Sequence, residues 1–344
     1  MSAATSPYAA EAPLTRGDRV ALVAASGPTD REGLDHAVHV LESWGLDVQV
    51  GAHVEDRHPR AADYLAGTDE GRRSDLVEAW CDPDVAAVVC LRGGYGAMRL
   101  LDGIDWDRMR SRAWRADGRP TLLTGSSDVT ALHRAIEHHV GVPSLFSPMP
   151  GNAVFRESDR IPADVHRWMF EPWGGRTVSG PDALTLLPGS ATGRTTGGNL
   201  ALLAGAVGAP ESLRHERGTG EGTSRAVPAG SGDGGAPTGS VLLVEDVGEK
   251  TYRLDGFWLH LLRSGQLDRI EALVLGSWDD CPPVAEVEAL ALEYARAAGL
   301  ESRGVPVVGE LGFGHDPHAL SAPLGVEVCL DAPAGGTPTL TVLP

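Results

Sequence analysis

Two hydrophobic rhythms alternate through the first part of the chain. "DRVALVAASGP" (18–28) is a short continuous apolar run closed by small residues and a Gly-Pro breaker, which predicts a strand. "DREGLDHAVHVLESWG" (30–45) then sets Leu34, Ala37, Val38 and Leu41 on one helical face and stops at Gly45. "LDVQVG" follows as a second strand, completing a β-α-β unit of the kind that builds parallel sheets. The alternation continues with a helix in "DEGRRSDLVEAWCD" (69–82) and a strand in "DVAAVVCLRGGYGAMRLL" (84–101) whose apolar run is continuous enough to be buried on both faces. "RPTLL" and the "TLLTG" it runs into are the next strand. "DVTALHRAIEHH" (128–139) is the next helix, with Val129, Leu132, Ala135 and Ile136 at helical spacing. Residues from about 14 to 150 are predicted to form one doubly wound α/β domain.

Beyond Pro148-Met149-Pro150 the elements shorten and turn residues multiply, so a second domain is expected from near 175: residues 14–175 form the first and 176–344 the second. Within it, residues 214–239 are rich in Gly, Ser, Thr and Pro with almost nothing to bury, which predicts a long mobile loop. Order resumes at "SVLLVEDVGEKTYRLDGFWLHLLRSGQLDRIEALVLGSW" (240–278) as strand, turn, helix, strand, and "VPVVGELGFGHDP" (305–317) is a strand ending in a glycine-flanked histidine. There is no internal repeat.

At 344 residues, 42% hydrophobic and 22% charged, the chain has a globular composition and room for two domains. Its formal net charge of -18 disfavours nucleic acid or an anionic membrane surface as partner and points to a small molecule or peptide. Cys81, Cys90, Cys281 and Cys329 are scattered without a C-x-x-C pair, so buried thiols are expected rather than disulfides or zinc. "MSAATSPYAAEAPLTRGD" lacks a basic start followed by an apolar core, and no apolar run approaches the roughly 20 residues of a membrane span. The expected compartment is the cytoplasm.

"LTGSSDVTALHRA" (123–135) places two serines and an aspartate between a strand and a helix. A sharp strand-to-helix turn lifts one side chain beside the helix N-terminus, where a nucleophilic serine is useful, and Ser127 is the candidate. Ser126, Ser127 and Asp128 also suit plain helix capping, and the stretch is not G-x-S-x-G. A serine nucleophile needs a base. His133, His138 and His139 read as exposed helix positions, and His36, His39 and His53 are unremarkable; His315 in "GFGHDP" stands in a loop able to present an imidazole to a cleft, or is an exposed loop histidine. The base in turn needs an acid. In "VLLVEDVGE", Glu245 and Asp246 lie at a strand end on opposite faces, so one of them is expected to enter a site, and Glu249 to cap the helix that follows. "CLRGGYGAMRLL" follows a strand and opens a helix, so its backbone N–H groups suit an anion or oxyanion, though it lacks a Walker A lysine and G-x-G-x-x-G spacing. "TTGGNLALLAGAVG" reads as a tight turn before a helix.

With these pieces in order the chain resembles the LD-carboxypeptidase family of serine peptidases, which includes the microcin C immunity peptidases. The resemblance rests on "DYLAGTDEGRRSDLVEAWCDPDVAAVVCLRGGYGAMRLL", "GSSDVTALH", "TGGNLALLAGAVGAP", "LLVEDVGEKTYRLDGFWLHLL" and "GFGHDPHALSAPLG", five blocks in family order from about residue 17 to 331. It implies an α/β fold with a flavodoxin-like or amidotransferase-like N-terminal domain and a smaller β-rich C-terminal domain, often dimeric. It implies a Ser-Glu-His triad falling on Ser127, Glu245 and His315, in a cleft between the domains. An oxyanion hole is implied from the backbone N–H of Asp128 and of Gly94, with Gly93, Tyr95 and Asn199 as further substrate-binding positions. No metal or cofactor is expected.

The chain departs from the family pattern at Ser126, where an aromatic residue is usual, at Phe146-Ser147-Pro148, where His-Gly-Pro is common, and in the longer 214–239 segment. The activity implied is release of terminal D-alanine from peptidoglycan-derived tetrapeptides. The alternatives are cleavage of an aminoacyl-nucleotide amide, with Trp168, Trp173 or the 214–239 segment as aromatic platform, and non-catalytic binding of small peptides.

Overall fold

The computed structural model describes residues 6–213 and 239–344. Apart from Gly239, the loop expected at 214–239 lies outside the described residues. The first sheet holds β1 (Arg19–Val23), β2 (Asp47–Val50), β3 (Val85–Cys90), β4 (Leu122–Gly125) and β5 (Ser144–Phe146), in spatial order β2-β1-β3-β4-β5 and all parallel. This is the flavodoxin-like doubly wound order, whose switch point falls between β1 and β3. Every residue of β3 is buried, as its unbroken "VAAVVC" run requires of a strand covered on both faces. The preceding helices are set by their own caps: Asp30 Oδ1 accepts from Gly33 N at 2.7 Å and Thr68 Oγ1 from Gly71 N at 3.1 Å.

The second sheet contains β6 (Thr177–Val178), β7 (Leu184–Leu187), β8 (Gly189–Asn199), β9 (Ser240–Val247), β10 (Ile270–Asp279) and β11 (Val307–Gly309). The chain then returns to the first sheet as β12 (Ala322–Leu324), antiparallel to β5, before β13 (Glu327–Ala332) and β14 (Thr339–Val342) complete the second. The order there is β6-β14-β13-β8-β9-β10-β11-β7, with β8 to β11 parallel and antiparallel strands outside them. The visit of β12 matters for the site, because it ties the segment just after His315 to the sheet that carries Ser127.

The aromatic residues knit this junction. Phe146 meets Phe313 edge to face at 6.1 Å, and Trp168 and Trp173 are 2% and 0% exposed in the core. The two tryptophans are thus packing residues and offer no aromatic platform. Phe146 and Ser147 are buried likewise, and Ser147 N donates to Gly125 O at 3.0 Å. These departures from the family pattern therefore shape the frame beneath the turn at 126–128. The four thiols are free; Cys81 and Cys90 are buried, Cys281 and Cys329 partly so. No helix among the described residues is long and apolar enough to cross a membrane.

Candidate functional site

β4 ends at Gly125, and the chain turns into a continuous helical stretch over 127–140. The turn is made at Ser127, a non-glycine residue at φ 61°, in the sparsely populated left-handed region. Such strain survives only where the surroundings hold it. The capping alternative finds no hydrogen bond: Ser126, at the helix start, makes no side-chain cap, and the Asp128 carboxylate turns away to accept from Ala97 N at 2.7 Å. That bond clamps the serine turn to the glycine turn after β3, which Gly27 N also holds by donating to Gly93 O at 3.0 Å. Gly93 lies against the serine, since a Cβ there would sit 2.8 Å from Ser127 Cβ and 3.1 Å from its Oγ. Gly94 and Tyr95 are exposed on the same turn. These loops lie beyond the carboxyl ends of β1, β3 and β4, where open α/β sheets bind ligands.

The second half approaches through Asn199, at the end of β8. Its backbone N–H donates to Thr130 Oγ1 on the serine's helix at 2.9 Å, joining the two halves at the site. Its side chain is 3% exposed, with Oδ1 accepting from Leu202 N at 3.2 Å and Nδ2 donating to Asp246 Oδ1 at 2.8 Å and more weakly to Glu245 Oε1 at 3.4 Å. Glu245 and Asp246 are both buried, and Asn199 reaches both because it pairs with Glu245 across the β8–β9 register. Asp246 looks the other way, taking the N–H of Ala201 at 2.9 Å at the start of the helix Leu200–Gly205. Burial, with the Glu245 charge beside it, pushes the Asp246 carboxyl up to about 6.

Glu245 Oε2 lies 2.6 Å from His315 Nδ1. A carboxylate only accepts, so Nδ1 carries a proton, and in the neutral ring Nε2 keeps the lone pair that can take another. The side chain of His315 is 21% exposed. Burial opposes its charge, but the Glu245 carboxylate, backed by Asp246 and Asp279, outweighs that and raises it above the ordinary histidine value. Among the described residues no hydrogen bond joins Ser127 to His315. Nor does any group of three or more His, Cys, Asp or Glu stand close enough to hold a metal ion.

Two corrections concern other side chains. His133, expected on an exposed helix face, is 1% exposed beneath the turn: Nε2 donates to Gly125 O at 2.8 Å and Nδ1 accepts from Ser144 Oγ at 2.7 Å. Its helix is buried on nearly every side because the second half covers the face that period alone would assign to solvent. Glu249 does not cap the helix Thr251–Arg263, which starts at Lys250 without a side-chain cap; its carboxylate accepts from Arg253 Nε at 2.5 Å one turn on. Thr130 and Ser277 also enter the site's hydrogen bonds unforeseen, since a lone hydroxyl in an apolar stretch gives no signal of what it will face.

The sequence profile of the LD-carboxypeptidase N-terminal domain matches residues 20–147, and that of the LD-carboxypeptidase C-terminal domain residues 192–330. The chain belongs to the LD-carboxypeptidase family. It is an enzyme of the serine-type carboxypeptidase class. A Streptomyces coelicolor protein provisionally named a carboxypeptidase is 41% identical over 96% of this chain and 94% of its own. The murein tetrapeptide carboxypeptidase of Pseudomonas aeruginosa is 33% identical over 91% and 93%. Among solved structures, the muramoyltetrapeptide carboxypeptidase of Oxalobacter formigenes superposes with a TM-score of 0.71 at 28% identity, covering 95% of this chain and 99% of that one. The microcin C7 self-immunity protein MccF, solved with glutamyl sulfamoyl guanosine, reaches 0.74 at 18% identity over 98% and 99%, a likeness of fold.

Proposed function

We propose that this protein hydrolyses the LD-peptide bond that holds the terminal D-alanine of peptidoglycan-derived tetrapeptides, through an acyl-enzyme on Ser127. The observation that carries the reading is the 2.6 Å contact of His315 Nδ1 with buried Glu245, which in the neutral ring holds the tautomer whose Nε2 can take a proton. His315 takes the Ser127 proton as Oγ attacks the carbonyl carbon, and returns it to the leaving amine of D-alanine. The backbone N–H groups of Asp128 and Gly94 receive the oxyanion; each such donor typically lowers the barrier by ~3 kcal/mol. Water, activated by the same histidine, then releases the tetrapeptide's shortened acyl part. Gly93 and Tyr95 border the substrate, and Asn199 acts on the two carboxylates. The names of the Pseudomonas and Oxalobacter relatives support the substrate class. The same reading places the enzyme in the cytoplasm as a homodimer.

The test is to incubate wild-type protein and Ser127→Ala separately with a muropeptide tetrapeptide ending in D-alanine, its LL counterpart and an aminoacyl-sulfamoyl adenosine, and to weigh the products. Loss of D-alanine from the LD substrate by wild type alone is expected. Activity surviving in the variant would remove Ser127 from its role, and cleavage of the nucleotide conjugate alone would replace the substrate.

A further inference from the structure

The loop that carries His315 is fastened to β10 by a side chain. Leu311 N donates to Leu275 O at 3.0 Å, and Ser277 N donates to Phe313 O at 2.8 Å, so the backbone of 311–313 runs along the end of β10. At Ser277 the pattern changes. Its Oγ accepts two backbone N–H groups at once, from His315 at 2.8 Å and from Asp316 at 3.1 Å. The register of β10 against β9 shifts between Leu275 and Trp278, the stretch that holds Ser277. Gly314 makes the approach possible: at φ 132° it has no Cβ, and one built there would collide with Ser277 Oγ and stand 3.2 Å from Glu245 Oε2.

We propose that Ser277 is a positioning residue for the reaction, setting the ring of His315 against Glu245 by holding the N–H groups of residues 315 and 316. This rests on the reading of His315 as the base. Two bonds to one oxygen fix both the height and the rotation of the peptide unit from which the imidazole hangs, whereas among the described residues the ring itself has a single hydrogen bond, to Glu245. Without that anchor the loop keeps its apolar contacts through Phe313 but not its angle at residue 315. Misplacement by about an ångström costs roughly 10²-fold in rate.

The experiment compares Ser277→Ala, Ser277→Cys and Ser277→Thr with wild type and with His315→Ala, measuring kcat, KM, thermal midpoint and the acid limb of kcat/KM on a tetrapeptide ending in D-alanine. Cysteine keeps the shape but is a weak acceptor; threonine keeps the oxygen and suits a strand. Alanine and cysteine are expected to lower kcat about 10- to 100-fold with KM within a factor of about three, threonine to stay within about threefold of wild type. The acid limb, held above the ordinary histidine value by Glu245, Asp246 and Asp279, is expected to move down in the alanine and cysteine variants as the ring leaves the carboxylate. Unchanged kcat in the cysteine variant, or a fall in kcat matched by a fall in thermal midpoint with the limb unmoved, overturns the inference. Full activity in His315→Ala would instead remove the reading of the base beneath it.

Discussion

The imidazole of His133 stands 2.8 Å from the carbonyl oxygen of Gly125, two residues before Ser127, with Ser144 on its other nitrogen. A carbonyl can only accept, so Nε2 bears the proton and Nδ1 accepts from the hydroxyl; the pair works only while the ring is neutral. Burial, partly offset by that carbonyl, lowers its pKa to about 4. The unfolded chain takes up a proton near 6.5 that the folded one refuses, so the ring's contribution is complete above pH 6.5 and is lost progressively as pH falls to 4. The loss amounts to roughly 3 kcal/mol. His133→Gln, which keeps a donor and an acceptor but does not titrate, should lose less stability between pH 7 and 4.5 than wild type in urea unfolding. Parallel losses in the two proteins would exclude this coupling.

Gly93 and Ser127 are in contact across the two turns, and that closeness predicts a functional cost out of proportion to the structural one. Gly93→Ala would push a methyl group to within 2.8 Å of Ser127 Cβ. Overpacking of this kind costs typically 1–3 kcal/mol, yet the atom displaced is the proposed nucleophile. Turnover should fall at least about tenfold while the protein stays folded at 25 °C; labelling by a fluorophosphonate probe should slow in parallel. Labelling at the wild-type rate would mean that the turn yields without moving the hydroxyl.

Much of this was legible in the sequence because it depends on local rules. The parallel strands announced themselves as apolar runs, "VAAVVC" most clearly, and the caps at Asp30 and Thr68 lie where helix starts were expected. The turn at 123–135 stands out as small polar residues between a strand and a helix, which suit a cap as well as a nucleophile, and Ser126 makes no side-chain cap there. What stayed hidden depends on the second half covering the first. The periodicity of 128–139 marks one apolar face, but Arg134 is buried against Glu211 of the second half, while His133 turns inward to Gly125 and Ser144 of its own sheet. Likewise alternation along β9 separates Glu245 from Asp246, and nothing local tells that Asn199, from a neighbouring strand, rejoins them.

Asp128 holds the turn through its side chain, besides the oxyanion role proposed for its backbone N–H. Its carboxylate is the partner of buried Ala97 N–H, the first residue of the helical turn Ala97–Gly103 behind the glycines. Asp128→Ala orphans that N–H, which costs about 1–3 kcal/mol, and frees the two turns to drift apart. Asp128→Asn retains an acceptor oxygen and should recover most of the stability and more than half of the lost turnover. Unfolding midpoints and kcat measured together decide it: equal defects in alanine and asparagine would show that the charge, not the bond, holds the turns.

Glu245→Gln separates the two influences on His315. In the wild type, burial disfavours the imidazolium and the carboxylate more than restores it, for a net raised pKa. Glutamine keeps a similar shape, removes that charge and leaves the burial together with Asp246 and Asp279, so the histidine should titrate below its wild-type value. Because the base works only when neutral, the acid limb of kcat/KM should move to lower pH, and the variant should retain a larger fraction of its own maximum at pH 6 than wild type does. Its maximum should nevertheless drop by about 10²- to 10⁴-fold, as the imidazolium formed during attack loses its counter-charge and Nδ1–H its acceptor. A limb that stays in place while the rate falls would assign the acid limb to another group, with Asp246, pushed up to about 6, the first to examine.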